Sequence, residues 1–236
     1  MISVLTTPRR QEYLRDTLAS IDAAGGVDHK HKTIFVDGAI TPDVMGNILP
    51  GWDVCQLHHP GSEPRGSRLS LWRVLNTAAL LEASYLLHFE DDVRLCKNAI
   101  PAMCAIDVPP WAGFLSFFQQ NKNMPGTTGF HGIPPRQNWW GCQSIKVPAR
   151  SLAMFASEKS APATTRHGMH YCDVWLGQRL HGCVLLPSIV RHVGLNTTIE
   201  SQKGETLSGE YAHRAGLHYA GDDYDALTHP VFKDFR

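Results

Sequence analysis

Apolar and polar residues follow one another along this chain in two rhythms, and the points where one gives way to the other mark its elements. The β-branched run "ISVLT" (2–6) is broken by "TPRR", which predicts a strand entering a loop. Leu14, Leu18 and Ile21 then recur at helical spacing, predicting a helix over 11–24 that Gly25 and Gly26 stop. "KTIFVDG" (32–38) predicts a second strand closing on Asp37, and "DVCQLHH" (53–59) a weaker third. Leu71, Val74, Leu75, Ala78 and Leu81 share one helical face, with Ser70 as candidate N-cap. That helix delivers the chain into a buried strand over 85–89. The order predicts an α/β protein with a central, mainly parallel, twisted sheet flanked by helices.

The second half is less regular. "WAGFLSFF" (111–118) reads as a further central strand, and residues 121–141 as a long irregular excursion rich in Gly and Pro. "CQSIKVPARSLAMFA" reads as a strand and helix returning to the core, "HYCDVWLGQRLHG" as a helix, and "CVLLPSIVRHVG" as a kinked strand. From Asn196 onward the chain is polar and loop-rich.

The buried strand over 85–89 ends without transition in Glu90, Asp91 and Asp92. Adjacent carboxylates repel one another, and removing them from water is costly unless a cation offsets them. Mg²⁺ and Mn²⁺ favour oxygen ligands, typically one or two carboxylates with phosphate oxygens and water. In open α/β sheets ligands bind beyond the carboxyl ends of the strands, where this triplet stands. The pattern therefore asks for a divalent metal and a phosphorylated ligand; the duller reading is a solvated acidic turn.

Composition narrows the classes. Apolar residues make up 43% and charged residues 19%, the balance of a globular chain. Lys plus Arg equals Asp plus Glu at 22 each, so no overall field draws the protein to nucleic acid or anionic lipid. The opening apolar run is too short for a signal peptide and no later run approaches a membrane span, so a soluble, cytoplasmic protein is expected. Six cysteines without CxxC pairing read as reduced thiols. His167, His170 and Cys172 have a spacing that matches no standard zinc pattern.

"YLLHFEDDV", the helix segment "LWRVLNTAALL" and the opening "ISVLTTPRRQEYLRDTLASI" resemble the GT-A glycosyltransferases of family 2 and related groups, which use nucleotide sugars. The resemblance implies one GT-A domain over 1–236, with a nucleotide-sugar half at 1–95 and an acceptor half at 96–236. It implies Asp92 as ligand of Mn²⁺ or Mg²⁺, with Glu90 as first acid of the motif and Asp91 between them. Thr6, Thr7, Pro8 and Arg9 fall in the loop that cradles the nucleotide, Asp37 on its base or ribose, and Arg65 and Arg68 on its phosphates. "PSIVRHVGLNTT" is similar to a stretch placing His192 near the metal, and "HYCDVWLGQRL" to the helix carrying the catalytic base, here Asp173.

The activity so implied is metal-dependent, inverting transfer of a sugar from a nucleotide sugar, by default a UDP-sugar, to an acceptor hydroxyl. Trp139, Trp140 and Trp175 are candidates to line a sugar pocket, against ordinary core packing. The loop over 121–137 is a candidate lid. The acceptor is a glycan or a hydroxymethylated base in phage DNA; Arg136, Lys146, Arg150, Lys159 and Arg166 would supply a basic face for the latter. A nucleotidyltransferase or other sugar-phosphate enzyme, and a non-catalytic carbohydrate binder, stay open beside it.

Overall fold

The computed structural model describes residues 1–8, 11–57, 67–119, 127–133, 141–158, 172–194 and 219–231. Its strands are β1 (Ile2–Thr6), β2 (Lys32–Val36), β3 (Asp53–Gln56), β4 (Tyr85–Glu90), β5 (Val93–Leu95), β6 (Phe114–Ser116), β7 (Gly129–Gly132), β8 (Ser144–Pro148), β9 (Gly182–Leu186) and β10 (Val190–His192). Its helices are α1 (Gln11–Ile21), α2 (Pro42–Gly46), α3 (Ser67–Leu80), α4 (Ala99–Ala105), α5 (Ala149–Ala156) and α6 (Cys172–Arg179). Eight strands form one sheet in the order β3-β2-β1-β4-β8-β6-β9-β7, and β5 pairs with β10 in a separate ribbon.

Pairing is parallel from β3 through β2 and β1 to β4, and between β6 and β9. β8 runs antiparallel between β4 and β6, and β7 antiparallel along β9. The central strands are apolar almost without interruption because both of their faces are covered. Period-two alternation sorts them. Ile2, Val4, Ile34, Val36, Leu87 and Phe89 join Leu14, Leu18 and Ile21 of α1 on one face. Leu5, Phe35, Leu86, Ile145 and Val147 join Leu71, Val74, Leu75 and Ala78 of α3 and Leu152 and Phe155 of α5 on the other.

Several expectations need correction. α1 ends at Ile21, not at residue 24; a π-helical turn over Asp22–Gly26 follows, with Gly25 at φ 99°. A side chain at Gly25 would sit 2.7 Å from the ring of Pro101, so the stop belongs to glycine for space as well as conformation. Ser70 is no N-cap: α3 begins at Ser67 and Ser70 is buried inside it. Leu81 lies beyond α3 and is 66% exposed, because the helix ends at Leu80 and the chain turns away through Glu82 at φ 52°. Part of the excursion expected to be irregular is β7, an outer strand of the sheet. The kinked strand is two strands in two sheets, separated at Pro187. The tail is not all loop: Tyr219 bridges to Ser188, Asp225 to Lys97, and Ala226 and Val231 are buried in the core.

Lys146 does not contribute to a basic face. Lys146, on the interior strand β8, is buried, and its ammonium donates to the carbonyls of Met103, Cys104 and Ile106 at 2.6–3.0 Å. These are carbonyls that the end of α4 leaves without intrahelical partners, so the cation closes the negative end of a helix. Burial lowers the pKa of Lys146. Arg150 stays exposed while its guanidinium donates to the carbonyls of Val108, Pro109 and Ala112. Arg136, Lys159 and Arg166 lie outside the described residues.

Candidate active site

Glu90 ends β4, and Asp91 and Asp92 form the tight turn into β5, at the carboxyl end of the central strand. α1 holds that turn from one side. Thr17, whose side chain is wholly buried, donates its hydroxyl to Asp91 O at 2.8 Å and accepts from Val93 N at 3.1 Å. One turn further on, Ser20 accepts from Leu95 N at 2.9 Å. The hydroxyl of Thr6, at the end of β1, donates to Asp91 Oδ2 at 2.6 Å. Asp91 therefore braces the turn against the neighbouring strand, while Asp37 N donates to Thr6 O and draws the end of β2 to the same edge.

The other side of the turn is closed by a distant segment. β10 pairs antiparallel with β5, setting His192 opposite Val93, and Val193 N donates to Asp92 O at 2.8 Å. His192 Nε2 then stands 2.8 Å from Asp92 Oδ2, with Asp92 fully buried and His192 partly so. Phe118, just beyond β6, packs at a tilt against the imidazole. Ligand atoms of Glu90, Asp92 and His192 all lie within 4.8 Å of one another. Two carboxylates and an imidazole fit a hard or borderline divalent ion, and the imidazole favours Mn²⁺ over Mg²⁺.

Asp173 reaches the same edge on α6. Glu90 N donates to Gln143 O, which lays residues 141–143 beside the triplet. Asp173 Oδ2 accepts from Gly141 N at 2.8 Å and Cys142 N at 3.3 Å, and the thiol of Cys172 donates to its Oδ1 at 3.1 Å. The same thiol lies 4.0 Å from Glu90 Oε1. Its hydrogen bond with Cys142 pulls the Cys172 pKa down, but burial and the Asp173 and Glu90 charges prevail and push it up to about 12. α6 is tied to the fold through Glu158, which accepts from Trp72 Nε1 and pairs with Arg179.

The structure thus brings Thr6, Asp37, Glu90, Asp91, Asp92, Asp173 and His192 to one edge of the sheet. Thr7 and Pro8 follow β1 and are half-buried, and Arg68 stands in the first turn of α3. Arg9, Arg65, Trp139, Trp140, His167 and His170 lie outside the described residues, as does the candidate lid except for 127–133. Trp175 is half-buried and packs against Phe155 with ring centroids 6.0 Å apart, so it shares in the core packing. Sequence reasoning passed over Thr17 and the Cys142–Cys172 pair. The signal for Thr17 was legible: it is the polar member of the buried stripe of α1.

No family model matches the sequence, and no curated protein matches it. Solved structures do. S. aureus TarS superposes over 78% of this chain and 57% of its own with a TM-score of 0.51 at 13% identity. The fold is GT-A. At that identity the likeness speaks to architecture alone. A galactosyltransferase, LgtC, solved with donor and acceptor sugar analogs, matches over 98% of this chain and 92% of its own at 10% identity and a TM-score of 0.49. A nucleoside-diphosphate-sugar pyrophosphorylase from Vibrio cholerae RC9 matches over 86% and 98% at 12% identity and a TM-score of 0.48. Both scores are too low to argue from. Among the described residues no helix is long and apolar enough to cross a membrane.

Proposed function

We propose that the protein is a divalent-metal-dependent glycosyltransferase that moves a sugar from a nucleotide sugar, by default a UDP-sugar, to an acceptor hydroxyl with inversion. The observation that carries this reading is the Glu90, Asp92 and His192 set at the carboxyl end of the central strand of a GT-A sheet. Glu90, Asp92 and His192 would hold Mn²⁺ or Mg²⁺, which offsets the charge of a departing nucleoside diphosphate. Thr6 and Thr17 keep the acidic turn in place through Asp91. Thr7, Pro8, Arg9, Asp37, Arg65 and Arg68 are assigned to the nucleotide.

Asp173 is assigned as general base. Its carboxylate is oriented by Gly141 N and Cys142 N, and the acceptor hydroxyl would pass its proton to a carboxylate oxygen as it attacks. Those same bonds favour a second reading in which Asp173 only fastens the 141–142 segment to α6. Of the two acceptor classes, the inward-turned Lys146 favours a glycan over DNA, since it withdraws one of the cations a phosphate backbone would need.

Incubation with a panel of nucleotide sugars and Mn²⁺, read as nucleotide release and as thermal shift, tests the assignment. Asp92→Asn should lose the metal-dependent shift. Asp173→Asn should keep it and lower kcat about 10²–10⁴-fold; normal turnover in that variant would leave Asp173 as a fastener. Donor binding by the wild type without release, for every donor and acceptor supplied, would point to a carbohydrate binder.

A further inference from the structure

Beside the oxygen-rich set lies a second one of opposite character. Cys142 precedes β8 and Cys172 opens α6, and the fold brings both thiols to the Asp173 carboxylate. The ligand atoms of Cys142, Cys172 and Asp173 lie within 4.8 Å of one another, and all three residues are buried. We propose that these three residues form a soft-metal site that takes Zn²⁺ or Cd²⁺. Two sulfurs and a carboxylate oxygen suit a tetrahedral thiophilic ion and are poor ligands for Mg²⁺ or Mn²⁺. Binding expels both thiol protons to solvent and transfers no electron, leaving two thiolates and one carboxylate around the dication. Packing of two thiols in a core accounts for their burial, but not for their meeting at a carboxylate. One consequence rests on the reading of Asp173 as base: a thiophilic ion sequesters that carboxylate, so Zn²⁺ stops transfer where Mn²⁺ supports it.

The test uses the full chain, reduced and stripped of metal, with one equivalent of Zn²⁺ in excess Mg²⁺. X-ray absorption at the zinc edge should show two sulfur neighbours at about 2.3 Å; a shell of nitrogen and oxygen alone overturns the site. Co²⁺ in place of Zn²⁺ should give a thiolate charge-transfer band in the wild type, in Cys55→Ser and in His192→Ala, and none in Cys142→Ser or Cys172→Ser. A band that survives both of those serine variants also overturns it. If the sulfur shell is present and Zn²⁺ leaves transfer untouched, the site stands and the base assignment of Asp173 falls.

Discussion

Thr17 is wholly buried between Leu14 and Leu18 on the face of α1 that meets the sheet, and its hydroxyl is what the acidic turn rests on. Replacing it with Val keeps the shape and leaves Val93 N and Asp91 O buried without that partner. Loss of about 1–3 kcal/mol is expected, measured by urea unfolding, together with weaker Mn²⁺ binding by calorimetry. His88 is a different kind of buried polar residue. It lies in the middle of β4, 2.9 Å from Ser3 Oγ, and burial lowers its pKa from 6.5 to about 3. The unfolded chain therefore takes up a proton that the folded one refuses. Its contribution to stability is complete above pH 6.5 and drains away as pH falls toward 3. Urea midpoints across that range should fall with acid, and less steeply in His88→Asn.

At the scale of elements, the pairing of β6 with β9 puts an aromatic ring over a position that only glycine can fill. Phe114 pairs with Gly182, and a β-carbon on Gly182 would stand 2.1 Å from the buried Phe114 ring. Gly182→Ala is expected to cost about 1–3 kcal/mol by overpacking, visible as a lower Tm, and Phe114→Leu in the same chain should recover part of it. Hydrophobic period made the elements on either side readable: β1 begins and ends where "ISVLT" does, and β4 gains only Glu90. The short elements were not readable. α2, α4, β5 and β7 each carry too few residues for a period to show, and they form because tertiary neighbours receive them.

Across the whole molecule, a net charge of zero conceals where the charges go. Lysine at position 146 is counted as a surface cation by composition, yet it is the inner cap of α4. Lys146→Met should destabilise the protein by about 1–3 kcal/mol while leaving retention on a DNA column at any salt unchanged. A binder that used this cation on phosphates would instead lose salt-dependent retention. The same limit governed the site. The acids were legible because three carboxylates follow a buried strand, and His192 and Asp173 because short motifs around them resemble known ones. The meeting of Cys142 with Cys172 was not legible, because 30 residues and a change of element separate them and only the packed sheet joins them.

The ribbon of β5 and β10 sets His192 beside Asp92, 100 positions earlier in the chain, and this sets an order of events during synthesis. A nascent chain that has just displayed its acids waits about 5–20 s, at ordinary translation rates, before the matching histidine is even polymerised. Until then the acids have no imidazole beside them, so a half-made protein cannot assemble the complete ligand set for a metal ion.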